Sequence, residues 1–163
     1  MHQTKILSRK SVGGMQKAMQ GAAAVEFALL LIPLLMLVLG AAEFGRALYQ
    51  YNALVKTTRD SVRHLSHLNP ASSGYSEAQT EAKCLAVYGN TSCSGQTLLP
   101  GLSTGMVSIN PINITTEVGA SITLVEVRIT GYTFNFILNP SIFLGSGNQS
   151  ITFGDIHATM RQT

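Results

Sequence analysis

The longest apolar run of the chain stands near its beginning. Residues 27–42, FALLLIPLLMLVLGAA, carry no charge, and AAAV at 22–25 extends the run across a single carboxylate, Glu26. About twenty residues at 1.5 Å rise each give a helix of roughly 30 Å, the thickness of one bilayer core. Pro33 fits this prediction because membrane helices tolerate proline. The pattern predicts a transmembrane helix over residues 22–44.

A second pattern continues the helix beyond the apolar run. Residues spaced alternately by three and four fall on one helical face, and charged residues fall off it. The members of this stripe are Phe44, Leu48, Tyr51, Val55, Thr58, Val62 and Leu65. Asn69-Pro70 ends the pattern because proline disfavours helix at the preceding residue. We predict one helix over about 22–68, with an amphipathic extension at 45–69. Its stripe packs either on the chain's own sheet or on helices of other subunits.

The last third of the chain has the two-residue alternation of β-strands. Segments 106–118, 121–137 and 148–160 are rich in β-branched and aromatic residues and predict three strands. Val125, Val127 and Ile129 share one face, but the alternation shifts by one at Tyr132, which indicates a bulge or bend at Gly131. With a short helix at 77–87, these elements predict an α+β fold. A long N-terminal helix then packs on a small antiparallel meander.

Charge distribution gives the chain an orientation. Charged residues make up 12% of the sequence and hydrophobic ones 45%, which favours a membrane-attached protein. Four basic residues precede Gly21 with no acidic residue among them (Lys5, Arg9, Lys10 and Lys17). The positive-inside rule therefore places the N-terminus in the cytoplasm and residues 70–163 outside it, as an extracytoplasmic domain. The net charge of +3 belongs to the short N-terminal segment, so no nucleic-acid partner is expected.

Two residues mark the end of the apolar run. Glu43 and Arg46 stand three apart, on the same helical face, where the helix should leave the bilayer. As an exposed pair they would contribute only some tenths of a kcal/mol. We expect them to mark the membrane boundary, with Arg46 reaching toward lipid phosphates. An intersubunit contact is the alternative.

The exported domain contains the only two cysteines, Cys84 and Cys93. An even number in an oxidising compartment predicts a structural disulfide, and closing a loop of about ten residues stabilises by roughly 2.5–3 kcal/mol. A zinc site needs four ligands, and a redox pair is usually closer in sequence. His64 and His67 have no further ligand nearby, so no metal is expected. No enzyme motif and no cofactor-binding motif is present.

The start of the apolar run allows three interpretations. A signal peptide would be cut before Glu43, and a single-pass anchor of a scaffold or sensor would not be cut. A prepilin-type leader would be cut after Gly21, which makes Ala22 the new N-terminus and Glu26 the fifth mature residue. A carboxylate in lipid requires a partner, and the α-amino group of Ala22 in a neighbouring subunit is a suitable one.

These residues together resemble a known family. The sequence from Gly21 to Ser66 is similar to the N-terminal signature of TadE-like pseudopilins, which belong to tight-adherence (Flp-type) pilus systems. The matching pieces are Gly21, 22–25, Glu26-Phe27, the Leu-rich run with Pro33, Glu43-Phe44-Gly45-Arg46, Thr58-Arg59-Asp60 and, near the C-terminus, ATMR at 158–161. The rest of the chain has no motif of this kind.

The resemblance implies a function and a set of partners. It implies a leader at 1–21 that prepilin peptidase removes between Gly21 and Ala22. It also implies a pilin-like fold, assembly through Glu26 and Phe27, and partners among other pilins and pseudopilins at the lipids of the inner membrane. The chain is longer than the major fibre subunits of this class, so we expect a minor pilin or pseudopilin. No catalytic activity is implied.

Overall fold

The computed structural model describes residues 13–138 and 149–162, with side chains from residue 21 onward. The chain divides into two compact units between Ala42 and Glu43. This boundary falls inside helix α1, Gly13–Ser66. The long helix predicted from the sequence is confirmed, although it begins before residue 22 and ends two residues before Leu68. Residues 1–12 of the predicted leader lie outside the described residues.

The first unit, as far as it is described, is the apolar part of α1. Its large apolar side chains are exposed, with Phe27 at 66%, Leu30 at 69% and Leu37 at 69%. Within the described residues, α1 is the one helix long and apolar enough to cross a membrane. None of its most apolar window is buried. A helix that is apolar on all sides requires an apolar environment around it.

The second unit combines helices with short antiparallel strands, which confirms the α+β class. After α1 come α2, Tyr75–Tyr88, and a 3₁₀ turn, Thr104–Met106. The strands are β1 Val107–Thr115, β2 Ser121–Ile129, β3 Thr133–Asn135, β4 Ser150–Thr152 and β5 Ile156–Arg161. Helix α2 ends because Gly89 adopts a left-handed conformation and donates its N–H to Leu85.

The strands form two small sheets that share one pairing register. One sheet has the order β1-β2-β5 and the other pairs β3 with β4, all antiparallel. Ile129 pairs with Ile156, and Thr133 pairs with Thr152 in the same register four residues further on. The second and third predicted strands are therefore each interrupted once. The break predicted at Gly131 is confirmed, since Gly131 has a φ of 73°. The turn predicted at 145–148 lies outside the described residues.

The core of the second unit lies between the C-terminal part of α1, helix α2 and the larger sheet. The buried face predicted for β2 is confirmed, because Val125, Val127 and Ile129 are at most 2% exposed. Burial does not alternate strictly along the strand, since Glu126 on the opposite face is only 7% exposed and accepts a hydrogen bond from Arg128. The principal buried residues are Leu54, Val62, Leu65, Ala82, Ala86, Val87, Leu99, Val125, Val127, Ile129 and Tyr132.

The buried face of α1 differs from the predicted stripe. Thr58, Val62 and Leu65 are fully buried, as predicted for packing on the chain's own sheet. The N-terminal members are not buried by this chain, since Phe44 is 65%, Leu48 46% and Tyr51 45% exposed. Packing on the chain's own sheet does not extend to these members, because polar residues, Glu43 and Gln50 among them, take the buried face instead. The spacing of apolar residues cannot reveal a helix face whose buried side chains are polar and hydrogen-bonded.

Candidate functional site

Glu43 lies where the second unit begins, and its carboxylate is buried. Its Oε1 accepts hydrogen bonds from the backbone N–H groups of Ile137 and Leu138, at 3.1 and 3.2 Å. Its Oε2 accepts from Arg46, at 2.6 Å from Nη2 and 3.2 Å from Nε. The residue is only 9% exposed, so these donors replace the water that the carboxylate has lost. Glu43 thereby ties α1 to the residues that follow β3.

Arg46 connects the same helix to β3 itself. Its Nη2 also donates to the backbone oxygen of Asn135, and its guanidinium carbon lies 4.2 Å from the centroid of the Phe134 ring. Phe134 is 1% exposed, so the guanidinium covers a ring held in place by the core. A cation this close to an aromatic face is attracted to it. We call Glu43, Arg46 and the contacted segment 134–138 the Glu43 clamp.

The clamp differs from the expectation of an exposed boundary pair. The Arg46 side chain is 28% exposed and that of Glu43 11%, so the pair is partly buried. The guanidinium contacts Asn135 and Phe134 of its own chain, where the sequence suggested lipid phosphates. Sequence reasoning missed these partners because they lie about 90 residues further along the chain.

A second polar contact joins α1 to the strands, four residues beyond Arg46. The hydroxyl of Tyr132 donates to Gln50 Oε1, 3.0 Å away, and lies 3.1 Å from the backbone oxygen of Pro100. Tyr132 is 2% and Gln50 6% exposed. Burial raises the pKa of the Tyr132 phenol, because the charged form would lose its hydration, while the positive charge of Arg46 opposes part of that rise.

Aromatic rings support this part of the second unit. Phe153 has its ring centroid 5.7 Å from that of Tyr132, 6.2 Å from that of Phe134 and 5.8 Å from that of Tyr51. Phe136 packs edge-on against Phe134 at 5.3 Å. Such offset and edge-on arrangements are the favourable ones for aromatic pairs. They fix the ring that the guanidinium of the clamp covers.

The predicted processing and assembly residues lie in the first unit. Gly21, Ala22, Glu26 and Phe27 are all in α1, and all four are exposed. A Cβ added at Gly21 would meet no atom within 4 Å, so packing within this chain does not require a glycine there. Among the residues that the structure describes, Glu26 has no hydrogen bond or ion pair. Both residues therefore lack a role in the described fold of a single chain.

One segment of the chain contains both carboxylates, Glu26 and Glu43, and corresponds to a known family. Residues 21–63 match the TadE-like protein family. The resemblance inferred from the sequence is confirmed for this segment, which suggests a protein associated with a tight-adherence pilus. No curated protein and no solved structure matches the chain.

The TadE-like segment supplies one side of the clamp. It begins at Gly21 and contains Glu43, Arg46 and Gln50, whereas their partners Phe134 and Tyr132 lie outside it. One sequence signal could have revealed the buried polar face. Glu43 and Gln50 stand seven residues apart, and this is the spacing that repeats one face of a helix every two turns.

The disulfide lies outside the TadE-like segment. Cys84, in α2 and 1% exposed, is bonded to Cys93, with the two Cα atoms 4.8 Å apart. This fits the pairing expected from the sequence. Asn90 organises the intervening loop, since its Oδ1 accepts from the Ser94 N–H at 3.2 Å and its Nδ2 donates to the Ser94 oxygen at 2.8 Å. The disulfide therefore attaches the loop after α2 to the helix itself and restrains the connection to β1.

The two histidines singled out in the sequence lie at the end of α1. His64 Nε2 is 3.2 Å from the Glu81 carboxylate of α2, and both side chains are substantially exposed. His67 is exposed as well. Within residues 13–138 and 149–162, no cluster of three or more His, Cys, Asp or Glu could hold a metal ion.

Proposed function

We propose that this chain is a minor pilin or pseudopilin of a tight-adherence (Flp, type IVc) pilus system. The observation that carries the proposal is the match of residues 21–63 to the TadE-like family, which begins at the glycine where the leader would end. The one apolar helix found among the described residues is exposed throughout its most apolar window, which supports insertion in a membrane. The role is structural and involves assembly with other pilins or pseudopilins rather than catalysis.

The proposed protein lies in the inner membrane with its N-terminus in the cytoplasm. Residues 22–44 span the bilayer, 45–69 continue as the amphipathic extension, and 70–163 form the extracytoplasmic domain. The bond between Cys84 and Cys93 supports an oxidising location for this domain. The division of the chain between Ala42 and Glu43 supports a membrane boundary close to the predicted one.

Processing after Gly21 is the step that distinguishes a pseudopilin from a permanent anchor. Gly21 is exposed, and the space around its Cα is open. The fold of a single chain therefore gives no reason for a glycine, whereas a peptidase that must enclose the scissile bond does. We propose that prepilin peptidase cleaves between Gly21 and Ala22 and leaves an α-amino group on Ala22.

Intact-mass measurement of the membrane-extracted protein tests this proposal. In cells with the matching peptidase, the parent chain is expected to begin at Ala22, and Gly21→Leu is expected to remain uncleaved. Gly40→Leu is the matched control, because Gly40 also lies in α1 with nothing within 4 Å of an added Cβ. An uncleaved parent chain would instead support a single-pass scaffold or sensor, and a start at Glu43 would support a signal peptide.

The proposed assembly residues are Glu26 and Phe27. Glu26 would be the fifth mature residue, and an unpaired carboxylate in lipid costs of order 1–3 kcal/mol on insertion scales. Pairing with the α-amino group of Ala22 in a neighbouring subunit removes that cost. It also fixes the register between subunits, because a shifted register leaves both charges without a partner. Phe27, 66% exposed, would pack against the neighbouring subunit beside this pair.

A further inference from the structure

Two apolar residues of the extracytoplasmic domain lie in the segment that donates backbone hydrogen bonds to Glu43. Ile137 is 75% and Leu138 37% exposed, directly after β3. The backbone here is held in place, since Phe136 donates its N–H to Gln149 at 3.0 Å and Ile137 and Leu138 donate theirs to Glu43. The structure therefore presents these apolar side chains outward from a fixed backbone.

Glu43 connects these residues to the point of the chain where the uncharged run ends. It directly follows Ala42, the last residue of the uncharged run that would fill the bilayer core. Because its side chain accepts hydrogen bonds at 3.1 and 3.2 Å, the bonded backbone lies within one glutamate side chain plus one hydrogen bond of the Glu43 Cα. If the uncharged run that ends at Ala42 fills the bilayer core, as in the proposed function, residues 137 and 138 are expected near the zone where the acyl chains meet the headgroups, which apolar side chains of peripheral elements occupy.

The charges at this place are compatible with a lipid neighbour. The carboxylate of Glu43 is paired with Arg46, whose guanidinium is directed to Asn135 and Phe134. The clamp therefore presents no unpaired charge beside the apolar side chains. Phe44, the next residue of α1, is 65% exposed and adds apolar surface at the same level of the helix.

We propose that Ile137 and Leu138 insert into the outer boundary of the phospholipid bilayer and give the extracytoplasmic domain a second membrane contact. This inference rests on the membrane anchoring in the proposed function. With the helix anchor, the contact fixes the tilt of the domain on the membrane before assembly, because two attachment points restrict rotation more than one. The Glu43 clamp is the element that positions it.

Single tryptophan variants test this contact, because the chain has no tryptophan of its own. The full chain with Ile137→Trp is reconstituted in phosphatidylethanolamine–phosphatidylglycerol vesicles that carry bromine near the top of the acyl chains. Its fluorescence is expected to shift to the blue and to fall by about half, as for a ring at the interface. Val118→Trp is the matched control, since Val118 is 92% exposed in the turn between β1 and β2 and does not contact Glu43.

Three outcomes would be informative. Emission and quenching of Ile137→Trp equal to those of Val118→Trp would overturn the proposal. A blue-shifted emission that bromine does not quench and that dilution with excess lipid removes would also overturn it, because a second protein copy would then cover the residue. Leu35→Trp, in the apolar run, reports the anchor separately. If its fluorescence is not quenched by deeply brominated lipid, the membrane anchoring itself fails.

Discussion

Glu26 and Glu43 are carboxylates of the same helix with opposite surroundings. Glu43 is 9% exposed and accepts hydrogen bonds from Arg46, Ile137 and Leu138 of its own chain. Glu26 is exposed and has no polar partner within the described residues. Folding therefore satisfies the carboxylate of Glu43, whereas no described residue of the chain satisfies that of Glu26. In the proposed function, this difference makes Glu26 the carboxylate that pairs with a neighbouring subunit.

The largest expected effect comes from removing the charge of Glu26. Glu26→Gln keeps the size of the side chain, so membrane insertion and cleavage after Gly21 are expected to be normal. Pilus assembly, or crosslinking to partner pseudopilins, is expected to fall more than tenfold, since each tenfold loss needs only about 1.4 kcal/mol. Pilus counts and crosslinking yields measure this. Assembly equal to that of the parent would show that Glu26 is only a polar marker of the membrane edge.

Removing Glu43 is expected to act on folding instead. Glu43→Ala leaves the guanidinium of Arg46 and two backbone N–H groups without their acceptor. Because the pair is only partly buried, the expected cost is about 1–3 kcal/mol, less than for a fully buried pair. Urea unfolding of the full chain in detergent, followed by circular dichroism, measures the loss. Glu81→Ala is the control, because Glu81 forms an exposed contact with His64 and should cost less than about 1 kcal/mol. Similar losses for both variants would contradict the clamp.

We expect the disulfide to affect only the stability of the domain in which it lies. Cys84→Ser is expected to lower the free energy of unfolding by roughly 2.5–3 kcal/mol, because the loop to Cys93 is no longer closed in the unfolded chain. The mature N-terminus at Ala22 is expected to be unchanged. Intact-mass measurement gives the N-terminus, and urea unfolding of the same preparation gives the free energy of unfolding. A cleavage site that moved with this substitution would show that processing depends on the domain.

The smallest expected effect concerns the contact between Tyr132 and Gln50. Tyr132→Phe removes one buried hydrogen bond and should cost about 1 kcal/mol at pH 7. Tyr49→Phe is the control, since Tyr49 is 70% exposed. Because burial raises the pKa of Tyr132 above its usual value of 10.0, the folded state favours the neutral phenol.

The same contact gives the parent chain a defined response to alkaline pH. The stabilisation from Tyr132 is complete below pH 10 and is lost as the pH rises through the higher pKa of the folded state. The free energy of unfolding is measured between pH 8 and pH 11, about two units below and one unit above the pKa of a free tyrosine phenol. It should decline less over this range for Tyr132→Phe than for the parent chain. An equal decline in both chains would exclude Tyr132 as the cause.

The sequence by itself determined the elements of this protein. The uncharged run predicted α1, the segment 77–87 predicted α2, and the shifted alternation at Gly131 predicted the interruption of the strands. These signals are local, because helix and strand periods repeat within a few residues. The candidate membrane residues could be found in the same way, since Gly21 and Glu26 are defined by their spacing from the apolar run.

Only the tertiary structure decided which face of α1 is buried and what satisfies Glu43. Phe44 and Leu48 belong to the apolar stripe that predicted the buried face, yet the side chains buried against the domain are those of Glu43 and Gln50. Their partners are backbone N–H groups at 137 and 138 and a phenol at 132, more than 80 residues further on. No local period encodes a hydrogen bond of that range, because its geometry exists only once the strands have been placed against the helix.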